Sequence, residues 1–154
     1  MEQDFERKIF NKGDILMHEG DMAKYMYDIT AGSVCVYKRY GTPDEKIVDT
    51  IHDGECVGEM EMVCVRSCCA TVIAAEKTEA IVIDRDTFGE YIKTRPAKVI
   101  TIMQQMSDRL RKLGMDYMDL CHVANEAVND AKAGKKKSEW YRKLDELANK
   151  ELDV

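Results

Sequence analysis

No apolar run in the sequence approaches about 20 residues, the length that a membrane-spanning helix requires. Residues 1–4 also lack the basic and then apolar order that opens a secretory signal peptide. We therefore expect a cytoplasmic protein with no membrane as partner. In that compartment we interpret the six cysteines as reduced thiols rather than as a disulfide framework.

Positive charge is also scarce. The 23 lysines and arginines are outnumbered by 29 aspartates and glutamates, which gives a formal net charge of −6. Because nucleic-acid binding needs a clustered cationic surface, this balance argues against it. The one basic run, residues 135–137, is interpreted as a solvated loop. We do not expect DNA as a partner.

Signatures of catalysis and of metal binding are missing. Cys64, Cys68 and Cys69 lie close together, but they form no C-x-x-C pair and have no second cluster to complete a ligand set. No serine lies in a nucleophile elbow. We predict neither an enzyme nor a metal site. Structural roles are expected for the three histidines, His18, His52 and His122.

Short apolar runs separated by turn residues fill the first half of the chain. Residues 33–40 alternate in polarity, residues 41–44 form a hairpin-turn sequence, and residues 46–51 read as the returning strand. Seven or eight such strands indicate an antiparallel sandwich or barrel. The other predicted strands are residues 15–17, 25–29, 70–75 and 80–84.

At Arg85 the pattern changes from strands to helices. Asp86 or Thr87 is expected to cap a short helix that ends at residues 94–95, because Pro96 follows. Proline at a first helical position then begins a second helix over residues 96–131. Residues 138–150 are predicted as a last amphipathic helix, capped by Ser138, that docks on the dimer described next.

The second helix carries the strongest periodicity. Its apolar residues alternate steps of four and three, as in a heptad seam, and the seam outlasts the face of a single domain. We predict a parallel homodimer through residues 96–131; the alternative is a helix that only covers its own domain. The seam residues are Val99, Met103, Met106, Leu110, Leu113, Tyr117, Leu120, Ala124, Ala127 and Ala131.

Residues 54–72 join two strand-like regions and have the composition of a phosphate cradle. Gly58 lets the backbone approach a ligand closely, the N–H groups of a short helical turn favour an anion, and Arg66 supplies charge. Together with this stretch, the glycine-containing turns of the strand region resemble the cyclic-nucleotide-binding domain of catabolite-activator-type regulators and cyclic-nucleotide-dependent kinases. The matching motifs are residues 12–16, 18–21, 29–34, 53–55, 57–60 and 70–72.

The resemblance implies a mainly β fold with helices: a double-stranded β-helix (jelly roll), a short helix and a long dimerisation helix. The implied division is a jelly-roll domain with its short helix over residues 1–95, the dimerisation helix over residues 96–131, and a basic loop with a C-terminal helix over residues 132–154. For a winged helix-turn-helix, the DNA-binding module of such regulators, too few residues remain beyond Leu120.

The resemblance also assigns the site. Glu59 would accept a hydrogen bond from a ribose hydroxyl, and the backbone N–H groups of Met60 and Glu61 would face the cyclic phosphate. Where the family places its phosphate-binding arginine, this sequence has Cys68. The candidate ligand-binding residues are Gly58, Glu59, Met60, Glu61, Arg66, Cys68, Cys69 and Ala70.

Several departures from the family pattern weaken the implied site. The arginine is missing, Glu61 adds a carboxylate, and Leu113 and Gly114 stand where bacterial members often have hydroxyls. Losing a charge-assisted contact costs about 1.5–3 kcal/mol, a factor of about 10 to 150 in affinity. The alternative is that Arg66, two residues upstream, replaces the missing cation.

These observations predict a stand-alone regulatory or sensor domain. It would bind a cyclic nucleotide (cAMP or cGMP) weakly or an altered ligand, and would signal through the hinge at residues 95–96 and its dimer helix to a partner protein. No other cofactor is expected. The alternative is a ligand-free structural or adaptor homodimer that keeps the fold and has lost nucleotide binding.

Overall fold

The computed structural model describes residues 5–133 and Arg142. Within these residues the chain forms two antiparallel four-stranded sheets, ordered β1-β8-β3-β6 and β2-β7-β4-β5. This arrangement confirms the predicted jelly roll. The strands are β1 Arg7–Phe10, β2 Ile15–Met17, β3 Met26–Ala31, β4 Ser33–Lys38, β5 Lys46–His52, β6 Cys56–Val57, β7 Thr71–Ala74 and β8 Thr78–Ile83.

The hairpin of β4 and β5 follows its sequence pattern. The strands pair from Ser33 opposite His52 to Lys38 opposite Lys46, with a register shift between Val36 and Tyr37. The turn predicted at residues 41–44 joins them.

Two hydrophobic clusters form the interior. One fills the space between the sheets and includes Tyr27 and Ile29 of β3. The other lies on the opposite side of β3, where Met26 packs with Met62 and Tyr91. This opposite placement follows from the alternation of side chains along a strand. Strand β3 therefore has a buried residue on both faces, which places its polar member, Asp28, inside the protein.

Three helices complete the described part of the chain: α1 Glu59–Cys64, α2 Arg85–Thr94 and α3 Pro96–Lys132. Helix α2 ends before Pro96, and α3 begins at that proline, as predicted. The N-cap prediction for α2 was wrong. Asp84 is the cap: its Oδ1 accepts from the Thr87 N–H at 2.9 Å, and Thr87 Oγ1 accepts from the Asp84 N–H at 3.1 Å. This capping box starts the helix one turn before Phe88.

Two details of the strand region differ from the predictions. Strand β8 begins at Thr78 rather than Ala80, because Thr78 and Glu79 pair with the end of β1. Strand β6 was not predicted, since two residues are too short for a periodic pattern. It forms by pairing Cys56 and Val57 with β3.

The described residues fall into two compact units that divide inside α3, after Met103. In the second unit, much of the predicted apolar seam is exposed, whereas Ala127 is buried within the chain. No described helix combines the length and the apolar character needed to cross a membrane. The helix predicted for residues 138–150, apart from Arg142, and the basic run 135–137 lie outside the described residues. The exposed seam residues of α3 are Met103, Met106, Leu110, Leu113, Tyr117, Leu120 and Ala124.

Candidate ligand-binding site

Gly58 makes the turn from β6 into α1. Its φ of 84° lies in the left-handed region, and a Cβ there would stand 2.7 Å from Met17 Cε and 2.9 Å from the Tyr25 carbonyl oxygen. Both the backbone conformation and the available space therefore demand glycine. The turn carries the chain from the core strand directly into the candidate site.

Helix α1 begins with two buried carboxylates. Glu59 is 2% exposed and Glu61 is 7% exposed, whereas Met60 between them is 44% exposed. A buried carboxylate is costly unless it is hydrogen-bonded or paired. The short helix therefore directs acidic side chains into the protein at the position where the resemblance places the ligand.

The side chain of Glu61 spans from α1 to the segment before β7. Its Oε1 accepts a hydrogen bond from the Cys69 backbone N–H at 3.1 Å. Its backbone carbonyl also accepts from the N–H groups of Val65 and Arg66, and Val65 closes the helix in a left-handed conformation. The connection from α1 to β7 is therefore folded around this one glutamate.

Cys68 is fixed in the interior by its backbone. Its N–H donates to the Asp21 carbonyl at 2.7 Å, and its carbonyl accepts from the Gly20 N–H at 2.8 Å. Only 3% of Cys68 is exposed. At the position where the resemblance places the family's arginine, this chain therefore has a small, buried, uncharged side chain.

Burial and nearby acidic side chains raise the pKa values of the Cys68 and Cys69 thiols. Burial, a hydrogen bond that the thiol donates to Glu61, and the charge of Glu61 raise the pKa of Cys69 to about 11. Burial and the charges of Glu61 and Asp21 raise the pKa of Cys68. Both thiols are protonated at neutral pH, so neither provides a nucleophilic thiolate there.

Of the eight predicted site residues, the structure joins Glu61 and Cys69 by a direct contact. Gly58, Glu59, Cys68 and Ala70 are buried. Arg66 and Met60 are exposed.

A second polar cluster lies where α2 meets α3 and was missed from the sequence. Asp28 is fully buried, and its Oδ2 accepts from the Tyr91 hydroxyl at 2.7 Å. Its Oδ1 accepts from Lys98 Nζ at 2.7 Å, and Arg95 lies 3.9 Å from Oδ2. Burial and the bond to Asp28 raise the pKa of Tyr91, which keeps its hydroxyl a donor. The signal in the sequence was a lone acid inside an apolar strand.

This cluster connects the junction of α2 and α3 to the strand that leads into the candidate site. Asp28 pairs with Cys56 in the ladder of β3 and β6, two residues before Gly58. Lys98 also donates to the Gly54 carbonyl at 2.9 Å, in the turn before β6. Through Lys98, the first turn of α3 is thus bonded to the backbone just before β6 and to a side chain of β3, the strand that pairs with β6.

Residues 7–95 match the model of the cyclic nucleotide-binding domain family. This range is more than half of the chain, and the chain belongs to that family. It is 22% identical over 112 residues to the cyclic AMP receptor protein of Thermus thermophilus, a match that covers 73% of this chain and 52% of that relative. The chain thus spans about half the length of this curated relative.

Two solved structures extend the comparison. The catabolite activator protein of Thermus thermophilus superposes with a TM-score of 0.66 at 21% identity, covering 94% of this chain and 78% of that chain. This likeness shows the fold. A regulatory subunit of a cAMP-independent protein kinase A from Trypanosoma brucei superposes with a TM-score of 0.54 at 25% identity, covering 67% of this chain and 36% of that chain.

The Trypanosoma brucei structure is a triple mutant bound to cAMP in its A site. The mutations replace a glutamate by alanine and, seven and eight residues further along, a threonine by arginine and a valine by alanine. In the present chain, Glu61, Cys68 and Cys69 have the same spacing.

Proposed function

We propose that this chain is a regulatory ligand-binding domain that binds cyclic nucleotides weakly or takes an altered ligand, and that signals through a homodimer formed by α3. The observation that carries the proposal is that the turn and its buried carboxylate are kept, while the position expected to hold a positive charge is neutral. Gly58 and Glu59 keep the turn and the buried carboxylate of the family, while Cys68 is buried and neutral. No catalytic step is part of this function.

The altered electrostatics account for weak binding of a cyclic phosphate. A guanidinium contact to a phosphate is charge-assisted and contributes about 1.5–3 kcal/mol. Cys68 cannot make that contact, and the exposed Arg66 makes no contact with Glu61 except through its backbone N–H. A cyclic nucleotide would therefore lose a factor of about 10 to 150 in affinity relative to a site that has the arginine.

The Asp28 cluster supports a route from the site to the hinge. Asp28 belongs to β3, which pairs with the strand entering the site, and it also bonds the last turn of α2 and the first turn of α3 through Tyr91 and Lys98. A shift of β6 on ligand binding would change these bonds. We propose that the residue 95–96 hinge responds in this way.

The exposed seam of α3 supports the homodimer. Large apolar side chains recur in steps of three and four from Met103 to Leu120, and all of them are exposed in the isolated chain. A continuous exposed apolar stripe marks an interaction surface, and the heptad spacing fits a second copy of the same helix. A partner protein would receive the signal from that dimer.

A ligand-free structural or adaptor homodimer is the second candidate. It is favoured by the direct contact between Glu61 and Cys69, which closes the loop without a ligand, and by the burial of Met62 in the core. In this alternative the exposed seam still forms the homodimer, and the candidate site binds no ligand.

Calorimetric titration with cAMP, cGMP and cyclic dinucleotides separates the two candidates. Saturable binding supports the ligand-binding function. Adenosine, which lacks the phosphate, is titrated as well to test for an altered ligand. The absence of any heat of binding for all of these compounds at millimolar concentration would refute the ligand-binding function and leave the structural homodimer. Where binding is found, Glu59→Ala and Arg66→Ala should each be titrated. A loss only in Glu59→Ala indicates the family's site, a loss in both indicates that Arg66 takes the phosphate, and no loss in either places the ligand elsewhere.

A further inference from the structure

The carboxylate of Glu61 lies among the residues that the resemblance assigns to the phosphate. It is almost completely buried, and one of its oxygens is bonded to the Cys69 backbone N–H. A carboxylate that accepts a backbone N–H bond resembles a bound anion in both charge and hydrogen-bonding. The segment that would receive a phosphate therefore already holds a negative group supplied by the chain.

The one cation of this segment, Arg66, is exposed, and its bond to Glu61 is made by its backbone N–H rather than by its guanidinium. The thiols of Cys68 and Cys69 are neutral, and the charge of Glu61 contributes to the raised pKa of both. The positive charge of Lys38 acts on Cys69 in the opposite direction, but Lys38 is bonded to Glu19 at 3.2 Å. A second anion brought to Cys69 would meet the Glu61 carboxylate at short range in a partly buried setting, where like charges repel strongly.

The Trypanosoma brucei mutant has altered charges at two positions whose spacing matches that of Glu61 and Cys68 in the present chain. Replacing its glutamate removes a carboxylate, and replacing its threonine adds a guanidinium, and that mutant is bound to cAMP. Glu61 and Cys68 likewise lie seven positions apart.

We propose that Glu61 determines ligand specificity in this chain: its carboxylate is an internal anion that favours an uncharged ligand over one that bears a cyclic phosphate. The proposal rests on the ligand-binding function proposed above, and it specifies the class of ligand that the site prefers. The exclusion of the phosphate rests only on the contact of Glu61 with Cys69 and on the missing cation.

The first experiment compares cAMP with adenosine, which has the same base and ribose without the phosphate. Both are titrated into the wild type, Glu61→Ala and the control Glu55→Ala. Glu55 is a suitable control because its carboxylate also accepts a backbone N–H bond, from His52 at 2.8 Å, outside α1 and the α1–β7 connection. Glu61→Ala should increase the affinity for cAMP relative to adenosine about tenfold, and Glu55→Ala should leave this ratio unchanged. An unchanged ratio in Glu61→Ala would overturn the proposal.

The second experiment adds the missing cation. One variant carries Cys68→Arg and Cys69→Ala, and the other carries these two substitutions with Glu61→Ala. The triple variant should bind cAMP at least about tenfold more tightly than the double variant. Equal affinities would overturn the role of Glu61. Thermal melts establish folding first, and if arginine at the buried position 68 prevents folding, the comparison of Glu61→Ala with Glu55→Ala decides alone.

The outcomes also separate this proposal from the proposed function. If the wild type binds neither probe while the triple variant binds cAMP more tightly than the double variant, the ligand-binding function is wrong and the exclusion of the phosphate by Glu61 holds. If the wild type binds cAMP as tightly as adenosine and Glu61→Ala changes neither affinity, ligand binding holds and the role of Glu61 is wrong.

Discussion

Glu61 acts on the side chain of Cys69 as well as on its backbone. Cys69 is exposed as a residue, yet partial burial of its thiol, the bond that the thiol donates to Glu61 and the charge of Glu61 raise its pKa to about 11. A thiol reacts as the thiolate, and at pH 8 a pKa near 11 leaves about one thiolate in a thousand. Cys69 is therefore less reactive than its exposure alone would indicate.

We expect iodoacetamide to alkylate Cys69 slowly at pH 8 in the wild type. Glu61→Gln removes the charge that raises the pKa, so the thiolate fraction and the alkylation rate should rise several-fold. Glu55→Gln removes one charge elsewhere and should leave the rate unchanged. Peptide mass spectrometry measures the rate at this residue. Equal rates in the wild type and Glu61→Gln would show that Glu61 does not control the thiol.

Gly58 offers a second test at the scale of the residue. Gly58→Ala combines a left-handed backbone with a clash against Met17 and the Tyr25 carbonyl, whereas Gly13→Ala has a similar φ of 90° and no neighbour within 4 Å. Strain alone should cost about 1 kcal/mol in Gly13→Ala, and Gly58→Ala should lose at least about 1 kcal/mol more in the free energy of unfolding. Urea denaturation measures both. Equal losses would contradict the close packing around this turn.

Among the elements, the junction of α2 and α3 depends on one buried carboxylate. Removing a single partner from a buried ion pair leaves an uncompensated charge. Lys98→Met keeps the apolar stem but leaves Asp28 with Tyr91 and the more distant Arg95.

We expect Lys98→Met to lower the free energy of unfolding by about 2 kcal/mol or more, because Asp28 is fully buried. The same substitution at Lys93, whose ion pair with Glu90 is exposed, should cost less than about 1 kcal/mol. Combining Lys98→Met with Asp28→Asn should cost less than the sum of the two single losses, since both remove one interaction. Chemical denaturation of the four variants gives the coupling energy, and additive losses would contradict a shared cluster.

The sequence predicted most elements because their signals are local. The hairpin of β4 and β5 has alternating strands and a turn sequence, and Pro96 marks the end of α2 and the start of α3. Asp84 was missed as the cap because the apolar run before it continues the strand pattern to that residue. The Asp28 cluster joins residues that are 63 and 70 positions apart, and no local pattern shows such a contact.

The candidate site was predicted in part for the same reason. The motif around Gly58 and the departures at Glu61 and Cys68 are visible in the sequence. The bond between Glu61 and Cys69 is not, because it depends on how the connection from α1 to β7 folds back on the helix.

On the scale of the whole molecule, the exposed seam of α3 predicts a homodimer. Analytical ultracentrifugation at micromolar concentration should give twice the chain mass of 17.6 kDa. Leu110→Glu places a charge on the seam and should give monomers, whereas Lys112→Glu, also exposed but off the seam, should leave the dimer intact. A wild-type monomer, or a dimer in Leu110→Glu, would show that the seam is not the interface.

The proposed route through the hinge makes a further prediction about how ligand binding affects the start of the dimer helix. If the ligand signal passes through the Asp28 cluster, ligand binding should change hydrogen exchange in the first turn of α3 in the wild type and not in Lys98→Met. Mass spectrometry of exchanged peptides measures this difference. The same response in both proteins would mean that the signal takes another path.

The central claim is that this chain keeps the frame of a cyclic-nucleotide site but has replaced the phosphate by its own carboxylate. The most direct measurement is the pair of dissociation constants for adenosine and cAMP with the wild-type chain, determined side by side by calorimetry in one buffer. We predict saturable binding of adenosine and binding of cAMP that is at least about tenfold weaker. Binding of cAMP that is tighter than that of adenosine would contradict the claim.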